Sequence, residues 1–204
     1  WSNTVSTARR WGYYELQLNP DDPTQYKFEG QWVPMGKETV SIDVKRGDTI
    51  VPEARTLYST QYGPMFESES FPWSKTTAYA LKTLETGLRD PDQYMAVWRS
   101  KTVREMKASL AKWQSFRFNA TAVDSTGEAL YGDMGLIPNV SAALAETCAT
   151  SDFAKKAWKE TRFPVLDGSR KDCAWATDAD SSLPGVAGAS EGPHQFRTDY
   201  VMQS

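Results

Sequence analysis

Val40, Ile42 and Val44 alternate with Ser41, Asp43 and Lys45, the period-two pattern of a half-buried strand. The aromatic-rich run from Tyr13 to Leu18 predicts an earlier strand, stopped by the turn chemistry of Asn19-Pro20-Asp21-Asp22-Pro23. Tyr26 to Phe28 and Gln31 to Val33 flank Glu29-Gly30, which predicts a tight hairpin. Arg46-Gly47-Asp48 turns the chain into Thr49-Ile50-Val51, and Thr56 to Tyr62 predicts a further strand ended by Gly63-Pro64. Residues 1–75 are therefore expected to be rich in strands.

The period changes near residue 90. Asp90-Pro91-Asp92-Gln93 offers an N-cap, a proline at the first helical position and a glutamine at the third, the ingredients of a capping box. Thr102 to Glu105 repeats that logic. Val103, Met106, Leu110 and Trp113 then recur at helical spacing, so one face of the predicted helix is apolar. Phe116 to Val123 and Glu128 to Tyr131 predict a hairpin around Asp124-Ser125-Thr126-Gly127, and helical signals return over Ser141 to Cys148 and Asp152 to Thr161. Leu166 to Pro193 reads as irregular. The expected fold class is α+β, with residues 1–204 as a single partial domain: about 1–75 strands, about 90–165 mixed helix and hairpin, and 166–204 an irregular return to the core.

Composition removes several function classes. Lys plus Arg against Asp plus Glu leaves a net charge of −3, so no basic excess points to nucleic acid. No apolar run is long enough for a membrane-spanning helix, so a membrane is not an expected partner. An aromatic content of 12%, with eight Trp, supplies too much burial-seeking surface for a disordered chain. One His and two Cys cannot furnish a four-ligand His/Cys zinc site, and no Gly-x-Ser-x-Gly elbow pairs with His194 in a serine triad. Asp178-Ala179-Asp180 imitates the start of a calcium loop but lacks its glycine and its closing glutamate, which makes these residues turn acids. No metal or cofactor is expected. Cys148 and Cys173 stand beside irregular segments that core packing holds poorly, which favours a disulfide over two buried thiols. A loop of that size gives about 3.5 kcal/mol, and an oxidising compartment would follow.

The residues that carry a specific chemistry are Val165-Leu166-Asp167-Gly168-Ser169-Arg170-Lys171-Asp172-Cys173-Ala174-Trp175-Ala176-Thr177-Asp178, then Pro184-Gly185-Val186 and Arg197-Thr198-Asp199-Tyr200-Val201. This series resembles the penicillin amidase family, and most of all its branch of N-terminal nucleophile acylases that cleave acyl-homoserine lactones and cyclic lipopeptides such as aculeacin. Trp1 to Thr7 resembles the family's Ala-Trp-Ser/Thr-His-Thr-Val segment, Thr56 to Pro64 its Tyr-Gly-Pro segment, and Asn119 to Tyr131 its Asn-Thr-x-Ala hairpin.

The resemblance implies part of an αββα sandwich and hydrolysis of the amide of an N-acyl substrate. A self-processed precursor would expose a Ser whose own α-amino group serves as base. That Ser, and a later oxyanion Asn, would lie outside this chain, which is expected to be a β-subunit fragment and inactive alone. Carried over residue by residue, the oxyanion N–H falls on Val5, and the acyl pocket on Thr4, Tyr94, Arg117 and Phe118. Asn3 replaces the family's His. Calcium-binding relatives place Asp where Ser6, Thr7 and Ala8 stand, so no calcium is expected there. An Arg beside an acyl pocket leaves the substrate class open. The partners implied are the N-acyl substrate and the remainder of the precursor, in a periplasmic or extracellular setting. The competing reading is an extracellular Trp-rich ligand-binding domain without catalysis.

Overall fold

Strand β1 (Ser2–Val5) lies at one edge of an antiparallel sheet with β9 (Phe118–Val123), β10 (Ala129–Gly132) and β12 (His194–Arg197), in the order β1-β9-β10-β12. The computed structural model describes residues 1–84 and 87–202. They form two compact units, one of Trp1–Trp11, Leu84–Ser141 and Trp175–Ser204, the other of Gly12–Thr83 and Ala142–Ala174.

In the first unit the β9–β10 hairpin turns where the sequence predicts it. Asp124 accepts from the N–H and hydroxyl of Thr126 at 2.9 and 2.6 Å, and its other oxygen accepts from the N–H of Val103 at 3.1 Å. These bonds hold the Asp124 carboxyl below the usual carboxylate range, the Thr126 hydroxyl most of all. Strand alternation sends Phe118, Ala120, Ala122 and Leu130 to one face. There they pack with Val97 of α1 (Arg89–Arg99) and with Val103, Met106 and Leu110 of α2 (Val103–Trp113). Helix α2 has the expected Thr102 cap, whose Oγ1 accepts from the Glu105 N–H at 3.2 Å, but Glu105 Oε2 reaches one residue further back than a capping box requires and accepts from the Lys101 N–H at 2.6 Å.

Helix α1 corrects the sequence reading. It begins at Arg89, so Asp90 lies inside the helix, and the N-cap position falls on Leu88, which makes no side-chain cap bond. Gln93, expected at the third helical position of a capping box, is fully buried instead. Interior donors compete for its side chain and win, because they have no water to turn to.

The second unit is a sheet in the order β4-β3-β2-β8-β7-β6-β5. Its strands are β2 (Trp11–Asn19), β3 (Asp22–Phe28), β4 (Gln31–Pro34), β5 (Gly36–Arg46), β6 (Thr49–Thr60), β7 (Gly63–Phe66) and β8 (Thr77–Thr83). Strand β11 (Val165–Asp167) adds in parallel to β2. The expected hairpin at Glu29-Gly30 forms with φ of 47° and 80°, the left-handed pair that a two-residue turn requires. Helices α3 (Ala142–Cys148) and α4 (Asp152–Thr161) match the predicted segments. Tyr13, Tyr79, Ala149, Ala154 and Val165 form a core cluster with Phe66, Phe71 and Phe163 packed against it.

Three details differ from expectation. Gly63-Pro64 begins β7 rather than ending a strand. Strand β8 carries Ala78, Tyr79 and Ala80 buried in succession, so it shows no alternation for a period-two search to find. The β5–β6 ribbon pairs from Gly36↔Ser59 to Arg46↔Thr49, yet Val40, Ile42 and Leu57 on one of its faces are 38%, 59% and 55% exposed. Alternation reports that a face is apolar, not that anything covers it.

Candidate active site

The antiparallel register of β1 and β9 sets Thr4 opposite Asn119 and Val5 opposite Phe118. Asn119 ties the end of β1 to the hairpin: its Nδ2 donates to the Val5 carbonyl at 3.3 Å, and its Oδ1 accepts from the Tyr131 hydroxyl at 3.1 Å. Burial, and after it the nearby Asp133 carboxylate, raises the Tyr131 phenol above its ordinary value, so the ring keeps the proton it donates. Val5 is 82% exposed.

A group of aromatic rings stands beside this pairing. Trp1 lies 6.2 Å from Tyr94 and 6.3 Å from Phe116 between ring centroids. Tyr94 is 4.7 Å from Phe116, and Phe116 is 4.3 Å from Phe118. The contacts of Trp1 and Tyr94 lie in the range where aromatic pairs attract beyond simple burial, and Phe116 and Phe118 stand slightly closer. Phe116 and Phe118 share a face because they are two apart on an extended chain, and Tyr94 arrives from α1. Trp1, immediately before β1, also borders two open clefts of about 320 and 490 Å³.

Of the acyl-pocket residues expected from the sequence, Tyr94 and Phe118 belong to this ring group. Thr4 sits half-buried in β1 on the Asn119 side. Arg117 is exposed, and its Nη2 makes a long 3.5 Å contact with the Leu84 carbonyl, so the structure does not bring it into the ring group. Trp1 and Phe116 were absent from the expected set. The signal for Phe116 was its two-residue offset from Phe118, and Trp1 shares strand parity with Val5.

The remaining candidates have structural partners. Cys148 and Cys173 are bonded to each other and fully buried, as expected. Asp178 Oδ2 accepts from the Gly188 N–H at 2.7 Å and Asp180 Oδ2 from the Ser190 N–H at 2.8 Å, so both carboxylates fasten turns. His194 is exposed on β12 with Nδ1 2.9 Å from the Gly192 carbonyl. Among the described residues, no three His, Cys, Asp or Glu side chains gather to hold a metal ion.

The penicillin amidase family model matches residues 1–204. The chain is 40% identical to aculeacin-A acylase of Actinoplanes utahensis over 207 residues, covering 100% of this chain and 26% of that protein. It is 33% identical to the acyl-homoserine lactone acylase PvdQ of Pseudomonas syringae pv. syringae (strain B728a), again over 100% of this chain and 26% of the relative. The chain thus spans about a quarter of the length of these curated relatives. Thermostable penicillin G acylase from Alcaligenes faecalis superposes with a TM-score of 0.69 over 96% of this chain and 30% of that one, at 19% identity. That likeness identifies the mixed α/β architecture as part of an N-terminal nucleophile hydrolase fold.

Proposed function

Because the chain belongs to the penicillin amidase family, we propose that the full-length protein hydrolyses the amide bond of an N-acyl substrate. The observation that carries this reading is the ring group of Trp1, Tyr94, Phe116 and Phe118 beside the end of β1, where Val5 faces Phe118. Aromatic rings next to a strand end offer an apolar wall for an acyl chain, and a backbone N–H at that end can meet the oxygen of its carbonyl.

In this reading an N-terminal Ser from another part of the protein attacks the carbonyl, and its own α-amino group takes the proton. The Val5 N–H donates to the oxyanion as it forms. The relatives' names point to acyl-homoserine lactones and to aculeacin A as substrates to try. This chain alone holds a wall of the pocket and one edge of the oxyanion hole, so the isolated 204 residues are expected to turn over nothing. The rest of the precursor is its partner. The buried Cys148–Cys173 bond favours an oxidising, periplasmic or extracellular location.

The test is an assay of the protein expressed from its complete reading frame. Acyl-homoserine lactones of increasing chain length and a cyclic lipopeptide are offered, and released acid is followed by mass spectrometry. Hydrolysis is expected, and Val5→Pro, which removes the backbone donor, should lower kcat by about 100- to 1,000-fold. Failure of the full-length protein to release acid from any of these amides would overturn the reading.

A further inference from the structure

Immediately after Val5 three side chains lock the backbone. Ser6 Oγ donates to Asp133 Oδ2 at 2.6 Å and accepts from the Ala8 N–H at 3.0 Å and from Arg10 Nη2 at 2.9 Å. The same Nη2 donates to Asp133 Oδ1 at 2.8 Å, and Arg10 Nη1 donates to the Leu136 carbonyl at 2.9 Å. The loop on which they close is itself immobilised. The Asp133 N–H donates to the Pro193 carbonyl at 2.8 Å. A Cβ on Gly135 would stand 1.7 Å from the Phe116 carbonyl oxygen, so this backbone passes closer to its neighbour than any side chain would allow.

The Arg10 and Asp133 side chains are each 11% exposed, and Arg10 Nε has no hydrogen-bond partner among the described residues. A buried ion pair left partly unsatisfied is a weak source of net stability, since desolvation offsets most of the attraction. What it supplies is position. The backbone on the C-terminal side of the Val5 Cα is held at two points: Asn119 grips the Val5 carbonyl, and the Asp133–Arg10 pair grips the Ser6 hydroxyl, which anchors the Cα from which the Val5 N–H of the preceding peptide projects. A donor that must meet an oxyanion in the transition state gains from such restraint, because it then needs no reorganisation during the reaction.

We propose that Ser6, Asp133 and Arg10 are positioning residues, which hold the Val5 N–H where the oxyanion forms. None of the three touches the reacting atoms, and the proposal rests on the amide-hydrolysis reading above. The test uses the full-length protein and the substrate it turns over best. Ser6→Ala should lower kcat about 10- to 100-fold at nearly constant KM, the pattern of an interaction realised only in the transition state. Ser6→Thr, which keeps the hydroxyl, should recover most of the loss. Asp133→Asn should resemble Ser6→Ala. Rates are referred to titrated active sites, so a variant that merely folds poorly does not register as slow. Amide hydrogen exchange over residues 2–8 should quicken in Ser6→Ala while α1 and α2 are unchanged. Wild-type kcat in Ser6→Ala, or unaltered exchange over residues 2–8, overturns the positioning role and leaves the hydrolase reading intact. A wild-type protein without amidase activity removes both.

Discussion

The side-chain oxygen of Gln93 accepts both the N–H and the hydroxyl of Ser115, each at 2.7 Å. The Phe116 N–H adds a third bond at 3.3 Å. A residue suited by sequence to capping its own helix instead ties α1 to the chain that carries Phe116. Helix placement and ring placement are thus one problem: the same bonds that end α2's exit loop set where Tyr94 meets Phe116.

Replacing Gln93 with Leu keeps the volume and removes the acceptor. Buried donors at Ser115 and Phe116 are then stranded, at a cost of about 2–4 kcal/mol. Urea unfolding of Gln93→Leu should show that loss, and the substrate KM should rise as the ring group loosens.

Gly135→Ala places a methyl against backbone rather than against a movable side chain. The structure must shift, and the expected destabilisation is about 3 kcal/mol. Thermal unfolding checks this. A Ser substitution should be no milder, because the clash begins at Cβ.

The Cys148–Cys173 bond closes a loop of 25 positions and lies in the unit that contains α3 and α4. Removing it in Cys148→Ser/Cys173→Ser should cost about 3.5 kcal/mol through the greater freedom of the unfolded chain. Denaturant midpoints with and without reductant measure it: wild type should shift on reduction and the double variant should not.

Alkaline stability should fall in that same unit. Burial, and after it the Glu15 carboxylate, pushes the Tyr79 phenol up to about 12, and burial also raises Tyr62. An unfolded tyrosine titrates near pH 10. Above about pH 10 the unfolded chain therefore binds fewer protons than the folded one, and stability is lost as pH rises through about 12. The urea midpoint should decline over that window, and Tyr79→Phe should flatten part of the decline.

Much of the fold could be read from short-range chemistry. The Glu29-Gly30 turn, the Thr102 cap of α2, the bounds of α4 and the hairpin around Asp124 all depend on residues within a few positions of each other, where backbone preference acts directly. Motifs along the chain carried the family, and the pairing of the two cysteines was expected from their settings.

Tertiary structure decided the rest. Ser6 meets Asp133 across 127 positions, and Ser115 draws Gln93 out of its capping role across 22. Periodicity says which face of a strand is apolar, but only packing decides whether that face is covered, as in β8, or open, as at Ile42. The sequence determined most of the elements and the family because local conformational preference is written in neighbouring residues. Tertiary structure alone decided which rings converge and which polar groups clamp β1, because burial strips away water and makes distant groups satisfy one another.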